Sequence, residues 1–202
     1  MKLPPSRSPF TQTFCRAAFP ALLLAALAFT TTPARAESVF ITTRGVEIPE
    51  AGFVTNTVLY TARHELTFLP PRNWKESFDT NALAFAWNSK DYATELRLRI
   101  ASALQAAELK PEELREKIRR EYPKARVKEE FACHTGGGSG LAFDLEERGA
   151  QGLVTATRLA FVPFAGGMIE FTLVTPADRL QQNHLLFGHF LNSFRTSPRL
   201  KK

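Results

Sequence analysis

The stretch LAFDLEERGAQGLVTATRLAFVPFAGGMIEFTLVT, residues 141–175, carries the signal for the fold class. Leu141, Phe143 and Leu145 alternate with Ala142, Asp144 and Glu146, the period of two that sends successive side chains to opposite faces of a strand. After the link Arg148-Gly149-Ala150-Gln151-Gly152, Val154, Ala156, Ala160 and Val162 alternate with Leu153, Thr155, Thr157, Leu159 and Phe161. Gly166-Gly167 turns the chain again, and Ile169, Phe171 and Leu173 share the next strand's face. Parallel neighbours would need crossovers of roughly a dozen residues or more. Links this short predict an antiparallel meander.

Directly after the meander comes a segment suited to cover it. Thr175 and Asp178 have capping-box spacing around Pro176, a helix start. Leu180, His184, Phe187, Leu191 and Phe194 then recur at three and four residues, and Leu186 and Phe190 widen the stripe. A face this broad and aromatic predicts the main cover of the sheet.

Upstream, Val127, Phe131 and Cys133 lie on one side of a strand that runs into the glycine-rich connection His134–Gly140. Pro111 with Glu112 and Glu113 opens an earlier helix, whose narrow stripe is Leu114, Ile118 and Tyr122 and which Pro123 stops. From Thr94 to Ile100, Leu96, Leu98 and Ile100 oppose Glu95, Arg97 and Arg99. Leu83, Phe85 and Trp87 share one side of another strand; Ala82, Ala84 and Ala86 line the other, small enough to lie beneath a helix. Leu66 and Phe68 alternate with Glu65 and Thr67 before Pro70, Pro71 and the turn at Asn73-Trp74. Residues 37–57, punctuated by Gly45, Pro49 and Gly52, are read as irregular. The expected class is α+β: a mostly antiparallel sheet covered by helices, an α/β/α sandwich.

The N-terminus is read as a leader. Lys2, Arg7 and Arg16 precede an apolar run, Ala17 to Phe29, and Ala34-Arg35-Ala36 offers small residues for cleavage after Ala36, the layout of a secretory signal peptide. The run is shorter than the roughly 20 apolar residues a membrane-spanning helix needs. Of 26 basic and 20 acidic residues, four basic and no acidic ones fall in 1–36, leaving 22 against 20. No basic footprint for nucleic acid remains. Cys15 leaves with the leader, so Cys133 has no internal disulfide partner and the core must hold the fold. The expected domains are 1–36 signal peptide, 37–57 irregular segment, 58–197 a single α+β domain and 198–202 a basic tail. The expected location is periplasmic or secreted, without stable membrane insertion after cleavage.

Cys133-His134 followed by Thr135-Gly136-Gly137-Gly138-Ser139-Gly140 could pair a thiol with a base or present backbone N–H groups to an anion. Neighbours on a strand point to opposite faces, however. The ordinary reading is a buried cysteine, an exposed histidine and a flexible turn. The run lacks the Lys-Ser/Thr ending of a nucleotide-binding loop. His64, His134, His184 and His189 have no spacing that places two on one helical face, so no metal set is expected. Asp144, Glu146 and Glu147 would stand near Glu170 if the meander pairs as read; as a solvated face they need no catalytic role. Trp74 and Phe164, in connections, are the aromatic residues suited to contact, and Trp87 is a core residue.

Leu66-Thr67-Phe68-Leu69-Pro70 with Asn73-Trp74, the later meander, and the helix Phe187 to Phe194-Arg195 ending in Ser193-Phe194 resemble the PsbP-like fold family. That family includes an extrinsic protein of the photosynthetic oxygen-evolving complex, a nuclear Ran-binding relative and exported bacterial proteins. The resemblance spans about residues 60–196 and implies a binding or assembly protein more than an enzyme. No ligand set can be carried over. The expected function is a non-enzymatic exported binding or assembly protein without a cofactor, engaging a protein partner or small ligand through Trp74, His134, Gly136, Gly137, Gly138 and Phe164. The alternatives are a hydrolase or other enzyme using Cys133, His134 and Asp144, and a carrier of a small apolar ligand between terminal helix and sheet.

Overall fold

A computed structural model describes residues 39–48, 52–79, 81–102 and 110–199. The leader expected at 1–36 lies outside these, as do residues 200–202 of the expected basic tail. The order is β1 (Phe40–Ile48), β2 (Gly52–Tyr60), β3 (His64–Phe68), β4 (Lys75–Asp79), β5 (Ala84–Asn88), β6 (Glu95–Ser102), α1 (Pro111–Glu121), β7 (Arg126–Thr135), β8 (Gly138–Arg148), β9 (Val154–Phe164), β10 (Gly167–Pro176), α2 (Leu180–Ser193) and β11 (Arg195–Pro198).

The meander forms as its alternation requires: β8 pairs β9, β9 pairs β10, and both pairings are antiparallel. They belong to a seven-stranded sheet ordered β4-β5-β6-β10-β9-β8-β7. The remaining strands make a second sheet ordered β1-β2-β3-β11. Every pairing in both sheets is antiparallel. The described residues are thus mostly antiparallel β with two α-helices.

The second sheet corrects two expectations. Residues 40–48 and 52–60, largely read as irregular, are paired strands. Gly52, with φ +75, sits where the chain enters β2, so this glycine bounds an element and does not interrupt one. A strand also follows α2: Arg195–Pro198 pairs with β3. This pairing, absent from any local pattern, takes the start of the basic tail into the fold.

Helices alone do not cover the large sheet. One face buries Phe85, Trp87, Leu96, Leu98, Ala160, Phe171 and Leu173 in a cluster with Phe187, Phe190 and Leu191 from α2 and Leu59, Leu66 and Phe68 from the small sheet. Phe68 is its aromatic centre, edge-on to Phe85 at 5.2 Å, Trp87 at 5.7 Å and Phe190 at 5.9 Å, and stacked on Phe194 at 6.2 Å. The opposite face is simpler. Leu114 and Ile118 of α1 pack on Phe143, Leu145, Leu159 and Phe161 of β8 and β9.

Smaller corrections share a cause: a neighbour in space takes a group that local spacing had assigned elsewhere. Thr175 does not cap α2; it is fully buried, and its Oγ1 lies 3.0 Å from Thr94 Oγ1 and accepts from Asn183 Nδ2 at 3.1 Å. A single 3-10 turn, Ala177–Arg179, leads into the helix instead. Leu83 precedes β5 with φ +48, outside the strand, yet packs against the same cluster as Phe85 and Trp87. His184 is exposed although it falls on the apolar stripe.

Candidate functional site

On β6 the alternation that buries Leu96, Leu98 and Ile100 sends Arg97 and Arg99 to the face carrying α1. The register with β10 sets Arg99 opposite Glu170. Lys117, on the inner side of α1 between Leu114 and Ile118, reaches the same carboxylate. Glu170 therefore accepts hydrogen bonds from Arg99 Nη2 and Lys117 Nζ, each at 2.7 Å. Burial raises the proton affinity of Glu170, but the two cations outweigh it and hold the carboxyl below its ordinary range. Tyr122 at the helix end is shifted upward, first by burial and then by Glu170 and Glu121.

Beside this cluster a cleft of about 720 Å³ opens between α1, the Asn81–Leu83 turn ahead of β5, and strands β6 and β10. Its apolar lining includes Leu83, Ala101, Leu114 and Met168, and its charged lining includes Arg99, Lys117, Arg120, Glu116 and Glu170. Ala82, on the small side foreseen for a helix, borders the cleft; α1 itself lies over β8 and β9. A volume in the range of about 300–1,000 Å³, an apolar floor and a few converging polar groups are general features of ligand sites.

The residues singled out in the sequence fall elsewhere, and not all together. His134, Gly136, Gly137 and Gly138 belong to the β7–β8 turn region. Gly138 approaches Pro163 and Val162, so this turn and the β9–β10 turn with Phe164 share one end of the large sheet. Phe164 is half-buried, edge-on to His64 at 5.4 Å. Trp74 precedes β4, whose Lys75 pairs with Asn88, at the far end of the strands and across the sheet. Gly137 has a packing reason, since a Cβ there would press on the Thr196 backbone, whereas one on Gly136 would meet the movable end of the exposed Arg195 side chain.

Cys133 and His134 point apart, as a regular strand dictates. The Cys133 thiol is buried in the core, and burial pushes it up to about 11. His134 Nδ1 lies 3.0 Å from Ser139 Oγ on the exposed side. Asp144 and Glu170 are on opposite faces of the sheet, so they are not a carboxylate pair: Asp144 pairs with Arg158 in the register, and Glu170 with Phe161. Asp144 is instead clamped by Arg158, which donates from Nε and Nη2 at 2.6 Å each, with both side chains about nine-tenths buried. Arg158 also contacts His184 of α2 and lies 5.2 Å over the Phe131 ring.

Arg158 and the Arg99–Glu170–Lys117 cluster escaped the sequence reading. Arg158 had a visible sign: it occupies an inward position between Ala156 and Ala160, where a charge needs a buried partner. Lys117 had none, because only docking of α1 on the sheet brings it to Glu170.

Among the described residues no group of three or more His, Cys, Asp or Glu is placed to hold a metal ion, and no helix is long and apolar enough to cross a membrane. No family model matches the chain, and no curated protein matches it. Among solved structures it is similar to cyanobacterial PsbP (CyanoP) from Synechocystis sp. PCC 6803, with 16% identity over 65% of this chain and 86% of that one and a TM-score of 0.48. It is also similar to PA94, a protein of unknown function from Pseudomonas aeruginosa, with 13% identity over 79% of this chain and 99% of that one and a TM-score of 0.45. A third likeness is to LpqN, involved in cell envelope biogenesis of Mycobacterium tuberculosis, with 11% identity over 78% of this chain and 92% of that one and a TM-score of 0.42. A PsbP thus stands among the structures the chain resembles, as the sequence resemblance implies. At these scores the likenesses carry no argument about ligand, partner or activity.

Proposed function

We propose that the protein is a non-enzymatic binding or assembly protein, exported to the periplasm or beyond, that engages its partner or small ligand at the cleft between α1 and the large sheet. The cleft itself carries this reading: open concave space with an apolar floor and charged rim beside a highly charged helix. The residues of the enzymatic alternative have structural occupations. Cys133 is buried with its thiol disfavoured as thiolate, and Asp144 is neutralised by Arg158. The place considered for an apolar ligand, between α2 and the sheet, is filled by Phe187, Phe190 and Leu191. The proposed contact residues therefore move from the Trp74, His134, Gly136–Gly138 and Phe164 set to Arg99, Lys117, Arg120 and their neighbours.

Export follows from the leader pattern of 1–36 and is tested by the N-terminus of protein recovered from the cell envelope, expected at Glu37. The cleft is tested with a photocrosslinking residue at Glu116, on its rim, in the native host. A discrete adduct is expected from Glu116, absent from the same probe at exposed Lys90 and lost when Ala82→Trp fills the cleft. Identical adducts from both positions, or adducts indifferent to Ala82→Trp, would remove the cleft from consideration. Native mass spectrometry of the purified protein distinguishes a small ligand from a protein partner.

A further inference from the structure

We infer that the outer face of α2 is a docking surface for a second copy of this chain, the two helices crossing antiparallel about a two-fold axis. From Leu180 to Ser193 the helix has no Asp, Glu, Lys or Arg, in a chain whose charged share is 23%. Gln181, Leu185 and Asn192 on its outer side are exposed, Leu185 at 69%. Of the charges at its ends, Arg179 pairs with Asp91, Arg195 packs on Gly136 and donates to Asn192 O, and Asp178 is exposed in the turn ahead of the helix. Burying the stretch from Gln181 to Asn192 takes no Asp, Glu, Lys or Arg out of water.

Gly188 is the second observation. A glycine inside a helix costs stability relative to alanine, and a Cβ at Gly188 would meet nothing within 4 Å. The fold of one chain gives no reason for glycine there. Close approach of another backbone or side chain would give one.

The arrangement on the helix names the occupant. Gln181, Leu185, Gly188 and Asn192 follow one another at spacings of four, three and four residues, one stripe along the helix. In an antiparallel pair centred between Leu185 and Gly188, each Leu185 meets the level of the partner copy's Gly188. Each Gln181 then meets the level of the partner copy's Asn192. Leucine faces the glycine notch and amide faces amide, the reciprocity an isologous interface demands. Neutral against neutral, the face sets no like charges against each other. One 14-residue helix is about 21 Å long, so the interface belongs to the small, weakly associating class.

Sedimentation velocity of the purified protein over a wide concentration range tests the inference. The weight-average mass is expected to climb from monomer toward dimer. Gly188→Leu and Leu185→Arg should each weaken association about tenfold or more. Gly188→Ala separates folding from docking: its melting temperature should rise by about 2–4 °C while association weakens. Mixing Gln181→Cys with Asn192→Cys should give a disulfide-linked dimer that neither variant forms alone. A natural chain that stays monomeric throughout, a Gly188→Leu protein that associates normally, or self-crosslinking of Gln181→Cys would overturn the proposal. None of these outcomes bears on the cleft, which lies on the other face of the sheet.

Discussion

The two helices lie against opposite faces of one sheet and divide their chemistry in opposite ways. In α1, eight of eleven residues are charged and only Leu114 and Ile118 are buried. In α2 none of fourteen residues carries a formal charge apart from its histidines, and Phe187, Phe190 and Leu191 enter an aromatic core shared with the small sheet. The contrast shows where each helix takes its stability. α2 is held by apolar area; α1 is held by two apolar residues and the ions around Glu170. A cleft fits beside a thinly attached helix, because the sheet next to it is not sealed by large side chains.

The largest effect should come from the α2 side. Phe190→Ala removes a ring in contact with Phe68, Trp87 and Phe171 and should cost about 3–5 kcal/mol in urea unfolding. A similar cost from exposed Leu185→Ala would break the account of α2. Arg158→Ala strands the Asp144 carboxylate beneath the same helix and should also cost about 3–5 kcal/mol. In the double variant Asp144→Asn/Arg158→Ala, part of that loss should return, because no uncompensated charge stays buried.

On the α1 side the prediction concerns pH. The Glu170 carboxyl sits below its ordinary value of 4.5 in the folded protein. Its contribution is therefore complete above the unfolded-state value and is lost as pH falls through the depressed one. Glu170→Gln should lower stability near neutrality by about 1–3 kcal/mol and flatten the acid side of the stability curve. An unchanged acid slope in Glu170→Gln would remove the Lys117–Glu170–Arg99 cluster as the fastening of α1. The smallest effect is expected from Arg115→Ala, which loses surface pairs with Glu130 and Glu112 and should change stability by less than about 1 kcal/mol.

Legibility in the sequence follows the same division. Period-two alternation from Leu141 to Leu173 and the stripe from Phe187 to Phe194 are local consequences of burial, so strands, antiparallel links and the covering helix could be read directly. β1 was hidden because Gly45 and Pro49 resemble loop punctuation, and β11 because four residues are too few to show a period. The glycine run Gly136–Gly138 reads as a possible anion loop, whereas the backbone of Thr196 in a distant strand accounts for Gly137. Cys133 and His134 were correctly placed on opposite sides by strand geometry alone. The cleft was not legible, since Ala82, Arg99, Lys117 and Glu170 come from four separate parts of the chain.

Order along the chain was enough to settle that the segments from Leu141 to Leu173 extend, that Phe187 to Phe194 coil and which of their sides avoid water, because those preferences act between residues a few positions apart. It also separated a basic N-terminal stretch, 1–36, from a nearly neutral remainder. Which helix lies over which strands, the partner of Arg158, the partners of Glu170 and the joining of Arg195–Pro198 to β3 were settled only when distant segments packed together. Ion pairing and shape complementarity act across space, and the spacing of residues along the chain carries no record of them.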